Sequence, residues 1–275
     1  MDFPHLAERV AEVRANINAA IGRGGHGQAV RIVAVTKTHG PEAVSAAVAA
    51  GLHDVGENKV QEAVAKQDAL AVVMAGSSDA TGHAGGRQLS EAPGATWHLI
   101  GHLQRNKVKY LDRFALFHAV DSSRLADAID EFGRKRGRPV DVLLEVNVSG
   151  EATKGGFGPD ELKREVERLA ADAASNGRSN GTGTAGQPTE SADAGNGGMS
   201  GIRIVGVMTM APLDAAETTL RRVFAGARSA CEVCRAAGLP AIELSMGMSG
   251  DYEVAVEEGA TMVRLGTVLF GERTP

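Results

Sequence analysis

Residues 31–50 read RIVAVTKTHGPEAVSAAVAA. An apolar run rich in Val and Ile, 31–37, ends on Lys37. Thr38, His39 and Gly40 then turn the chain, and a helical segment follows over 41–50. That is one strand–helix unit. The unit recurs along the chain. Further apolar runs lie near 53–57, 97–101, 116–120, 140–148, 202–210, 241–246 and 262–270. Helical segments fall at 59–71, 105–112, 122–136, 159–174, 214–237 and 250–258. Eight strand candidates, each but the last followed by a helical one, predict an α/β protein with a parallel sheet. Eight units in about 250 residues suit a closed (β/α)8 barrel. An open doubly wound sheet is the alternative, because periodicity alone does not show closure. Ahead of the first unit, Phe3, Leu6, Val10, Val13 and Ile17 mark an amphipathic helix over 2–21, expected to cap one end of the barrel.

Two segments break the rhythm. Residues 75–95 and 175–201 are rich in Gly, Ser, Thr, Ala and Asp and hold almost nothing that packs a core. They read as flexible insertions in a single domain spanning 1–275, on helix-to-strand connections opposite a barrel's active face. The net charge of −5 gives no reason to expect a nucleic-acid or anionic-membrane partner. The first residues carry charges throughout and lack the apolar core of a signal peptide. No stretch reaches the roughly 18 apolar residues of a membrane span. A cytoplasmic location is the expectation. No heptad or large apolar stripe stands out, so a monomer is expected.

Some motifs mislead. Residues 22–27, GRGGHG, match a dinucleotide fingerprint but follow a helix and precede a strand, which makes them a helix stop. Cys231 and Cys234 sit within a helical pattern and read as core thiols. His98 and His102 lie four apart, but no nearby carboxylate or third histidine completes a ligand set, so no metal is expected.

In a barrel, function collects at the C-terminal strand ends. Here those ends carry Lys37, then Glu57 and Asn58, then His98 and His102, then Asp121 and Ser122. Glu145 and Asn147 follow, then Thr209, and finally SMGMS at 245–249 and RLGT at 264–267. The turn around Ser249 and the close approach that Gly266 permits make an anion site, and phosphate fits loops after strands seven and eight. Alone, Lys37 is a strand-end lysine reaching for water. Opposite a phosphate site it has another use: an amine in a mostly apolar cavity becomes a nucleophile toward aldehydes. A phosphorylated aldehyde is implied, and pyridoxal 5'-phosphate is the obvious candidate.

The stretches VAVTKTHG, VGENKVQE, WHLIGHLQRNKVK, LLEVNVSGEATKGG, GVMTMAP and LSMGMSGDYEVAVEEGATMVRLGT occur in this order. They resemble the pyridoxal phosphate homeostasis proteins, which are single-domain fold-type III barrels related to the N-terminal domain of alanine racemase. The resemblance implies a Schiff base on Lys37. It implies that Ser249, Gly266 and Thr267 hold the phosphate and that Arg264 faces the pyridine nitrogen. Asn58, His98 and Met246 would lie around the ring, and no residue is given a catalytic role. Glu145 stands where the family usually has glutamine, and pointing inward it would bring a negative charge to the site. The function implied is to bind, buffer and deliver the cofactor to apoenzymes without turnover. A racemase of this fold also takes a catalytic tyrosine from a second domain, and the chain stops at Pro275, soon after strand eight. The alternatives are a racemase or decarboxylase acting on amino acids and, less well supported, a Schiff-base aldolase.

Overall fold

The structure is a computed structural model, described for residues 3–77, 94–150, 155–178 and 200–271. Its strands are β1 (Arg31–Val35), β2 (Asp54–Glu57), β3 (Thr96–Leu99), β4 (Leu116–Val120), β5 (Val140–Glu145), β6 (Ile202–Met208), β7 (Glu243–Ser245) and β8 (Met262–Leu265). All pair in parallel, in chain order. β8 pairs back onto β1 from Arg31↔Met262 to Ala34↔Leu265. The sheet is therefore a closed barrel, not an open one.

The helices are α1 (Leu6–Gly24), α2 (Pro41–Ala49), α3 (Val60–Ser77), α4 (Ser123–Lys135), α5 (Pro159–Arg178), α6 (Glu217–Ala236), α7 (Tyr252–Glu257) and α8 (Thr267–Phe270). A 3-10 segment, Arg105–Arg113, replaces a full helix between β3 and β4. Each long helix turns an apolar stripe to the barrel, as Leu125, Ala126 and Ile129 do on α4. Cys231 and Cys234 are buried on α6 and form no disulfide, and burial pushes their thiols up to about 11 and about 12. They are core residues.

Three expectations change. The run 262–270 is not one strand. β8 ends at Leu265, and after Gly266 the chain forms the short α8. An apolar run buries equally well in either form, so composition did not separate them. The leading helix does not cap the barrel. α1 buries Leu6, Val10, Val13, Ile17 and Ala20 and packs against α7 and α8, in the outer layer where the last unit has only four helical residues. Strand ends are also shorter than the apolar runs, since side chains beyond the ladder stay buried in the loops. The segments 75–95 and 175–201 lie largely outside the described residues. Among the described residues, no helix is long and apolar enough to cross a membrane.

Candidate functional site

The C-terminal strand ends surround a cavity of about 720 Å³, within the range of small-molecule sites. Lys37, Asn58, Ser249, Arg264, Gly266 and Thr267 all line it. Glu145, His102 and Asp121 form part of the same wall.

Lys37 follows β1 directly. The residue before it, Thr36, is buried and held from three sides. Its N–H donates to the Gly56 carbonyl at 3.1 Å, its carbonyl accepts from Lys66 Nζ at 2.8 Å, and its hydroxyl donates to Glu57 Oε1 at 2.5 Å. Lys66 Nζ also donates to Glu57 Oε1 at 2.6 Å. The residue after it, Thr38, has φ +69°. A β-branched residue is rarely found there, and holding it costs roughly 1–3 kcal/mol. Packing thus fixes the backbone on both sides of Lys37 while its side chain faces the cavity.

The opposite side is built from the 247–251 turn and α8. Gly247 has φ +93°, and a Cβ there would lie 2.6 Å from the Ala255 Cβ, so only glycine fits. The Met248 N–H donates to Asp251 Oδ1 at 2.6 Å, closing the turn. Ser249 Oγ accepts from the Val268 N–H at 3.2 Å, which ties the turn to the first residues of α8. Small residues and backbone N–H groups therefore meet where β7 and β8 end.

Arg264 is the deepest charge on the cavity wall, 5% exposed. Nη1 donates to the Ser245 carbonyl and to Ser245 Oγ, both at 2.7 Å, and Nη2 donates to the Thr209 carbonyl at 2.9 Å. A guanidinium has five N–H groups, so two remain for a ligand. Burial lowers its pKa to about 10, with Asp251 and Glu145 opposing the shift. It remains a cation at neutral pH. Glu145 points inward, 8% exposed. Burial, then Asp121, push its carboxyl above the ordinary value, against the pull of Arg264 and His102. His102 Nδ1 lies 2.7 Å from Asp121 Oδ2 at the rim.

Two of the eight expected residues lie outside the cavity lining. His98 is 1% exposed in the barrel interior, bonded to Asp54 and His118. Met246 is fully buried. Depth below the rim separates His98 from the cavity, and alternation from the inward-facing Ser245 turns Met246 away. The reading of sequence did not single out His118, Lys66 or Asp251. A polar residue within the apolar run of β4 was the available signal for His118, but a lone histidine there reads equally well as core.

The donor set suits a phosphorylated aromatic aldehyde. A primary amine, a deep fixed cation with two unused N–H groups and a small-residue turn face one space of sufficient volume.

Comparison with known proteins agrees. The family described as alanine racemase, N-terminal domain, matches residues 9–185 and 179–274. The pyridoxal phosphate homeostasis protein of Aquifex aeolicus is 35% identical over 272 residues, covering 98% of this chain and 99% of that protein. PipY of Synechococcus elongatus, solved with pyridoxal phosphate bound, superposes with a TM-score of 0.71 at 32% identity, covering 97% of this chain and all of that one. Alanine racemase of Corynebacterium glutamicum shares the fold, with a TM-score of 0.59 at 16% identity over 98% of this chain and 62% of that one. The chain belongs to the pyridoxal phosphate homeostasis protein family, within the wider group built on the alanine racemase N-terminal domain.

Proposed function

We propose that the chain binds pyridoxal 5'-phosphate in this cavity and serves in its homeostasis, holding, buffering and delivering it to apoenzymes. One observation carries the reading: Lys37, Ser249, Arg264 and Thr267 converge on one cavity from the end of β1, the β7–α7 connection, β8 and the start of α8. PipY, whose structure holds the cofactor, and the relatives' names support it.

Bound there, pyridoxal phosphate supplies an aldehyde that condenses reversibly with a primary amine. Lys37 provides that amine. Ser249, Gly266 and Thr267 would bind the phosphate, and Asn58 would flank the ring. Arg264 would place a fixed positive charge at the ring nitrogen. A cation there disfavours protonation of that atom, which weakens the ring as an electron sink. That favours holding over turnover. The reading takes 1–275 as one cofactor-holding domain, a cytoplasmic monomer, with insertions at 75–95 and 175–201.

A racemase or decarboxylase is the second reading, favoured by the His102–Asp121 pair and Glu145 on the same wall. Borohydride reduction of the cofactor-loaded protein, followed by peptide mapping, tests the first. The expected result is cofactor fixed on the Lys37 peptide and none on Lys37→Ala. Label elsewhere, or no label, overturns the reading. Steady turnover of any amino acid in a panel would replace it with the second.

A further inference from the structure

Barrel interiors of this kind are filled mainly by branched apolar side chains. Here a line of polar groups runs through the interior. Arg264 Nη1 donates to Ser245 Oγ at 2.7 Å, and Ser245 Oγ lies 2.9 Å from His118 Nδ1. His118 Nε2 lies 2.9 Å from His98 Nδ1, and His98 Nε2 lies 2.9 Å from Asp54 Oδ1. The five residues come from β8, β7, β4, β3 and β2. Asp54 opens the strand at the N-terminal end of the barrel and lines a second cavity of about 360 Å³ there, with Arg14, Arg31 and His53. The line therefore joins the two ends of the barrel.

Its direction follows from the chemistry of its ends. Arg264 can only donate, and an ionised Asp54 can only accept. Burial raises the Asp54 carboxyl, but the hydrogen bond from His98, with the Arg31 charge nearby, outweighs it, so Asp54 stays below the ordinary carboxylate value. Burial, above all, holds His118 well below the ordinary histidine value, so it is neutral. With one proton on each imidazole, only one arrangement satisfies every atom. His98 donates from Nε2 to Asp54 and accepts at Nδ1. His118 donates from Nε2 and accepts at Nδ1 from the Ser245 hydroxyl. Ser245 accepts from Arg264. Every donor points from the cofactor end toward Asp54.

We propose that Ser245, His118, His98 and Asp54 are positioning residues that hold the Arg264 guanidinium in its orientation at the cavity, and that the protonation of the Asp54–His98 end sets that orientation. The proposal rests on the reading of Arg264 as the partner of the cofactor ring. One proton taken up from solvent at His98 reverses the line. His98 then donates from Nδ1, His118 must carry its proton on Nδ1, and Ser245 loses the acceptor for its hydroxyl. The charged groups around that end are Arg31 on β1, 4.0 Å from Asp54 and paired with Glu243 on β7, and His53 beside Asp54. Arg264 faces the line from β8.

The test uses the full chain with histidine labelled with ¹⁵N. In the cofactor-free protein at neutral pH, both His98 and His118 should show the Nε2–H tautomer. A proton on Nδ1 of either ring overturns the relay. The loaded protein supplies the second readout. Asp54→Asn, far from the cavity, should shift the pH profile of the bound cofactor's visible absorbance, with Asp54→Glu restoring it. Ser245→Ala should weaken cofactor affinity about five-fold, within the range that coupled networks carry. An unchanged pH profile in a folded Asp54→Asn protein makes the line merely structural and overturns the proposal. Correct tautomers in a protein that binds no pyridoxal phosphate would keep the relay and remove the functional reading instead.

Discussion

Glu145 shows how much one side chain can decide. Its position at the end of β5 was clear from the chain, but its direction was not, because a strand's last residues leave the ladder's strict alternation. The structure turns it inward beside Asp121, where burial raises its carboxyl above the ordinary value of 4.5. A carboxyl raised on folding is destabilising when ionised. That cost is absent below the unfolded value, grows as pH rises through it, and is complete above the folded value. Glu145→Gln should therefore raise the melting temperature at neutral pH and change it little in acid. Thermal melts across that window check this, and a difference that is constant or largest in acid would refute it. Lys37 was legible for the opposite reason. It closes an apolar run, and the β1 ladder carries it to the rim without any need to know its rotamer.

At the scale of elements, the link that matters is between α3 and the ends of β1 and β2. Lys66 reaches from α3 to the Thr36 carbonyl and to Glu57, which is fully buried. This clamp sits directly behind Lys37, and nothing in the spacing of VGENKVQEAVAK marks it, since Lys66 reads as a solvated helix residue. Removing one partner strands the other charge in the interior. Lys66→Met should cost about 3–5 kcal/mol, whereas Lys66→Met with Glu57→Leu should cost clearly less than the sum of the single changes. Urea denaturation of the three variants measures it. Additive losses would show that the pair does not act as a unit. The 3-10 segment and α8 illustrate a related limit. Both are short, and their apolar spacing fits more than one local geometry until the barrel packs against them.

At the scale of the whole molecule, the active face and the N-terminal face are separated by the barrel. Ser200 and Gly201 begin the chain's entry to β6 at the N-terminal end, where Asp130 on α4 accepts from the Gly201 N–H at 2.7 Å. Deleting 177–199 shortens the connection from α5 to β6, so binding of pyridoxal phosphate should stay within about two-fold of the parent, the effect expected of a change in loop length alone. Equilibrium titration of the deleted protein decides it, and loss of binding would contradict this placement. By itself the sequence determined the number and order of the β/α units, most of the rim residues and the kind of ligand they suit, because periodicity and strand-end position are local properties of a chain. Only the tertiary structure decided that β8 closes onto β1, that α1 joins the outer layer, that His98 serves the interior and that Glu145 faces the ligand space. Those outcomes depend on which side chains meet across the barrel, and residues as distant in sequence as Asp54, His118, Ser245 and Arg264 become neighbours only when the sheet closes.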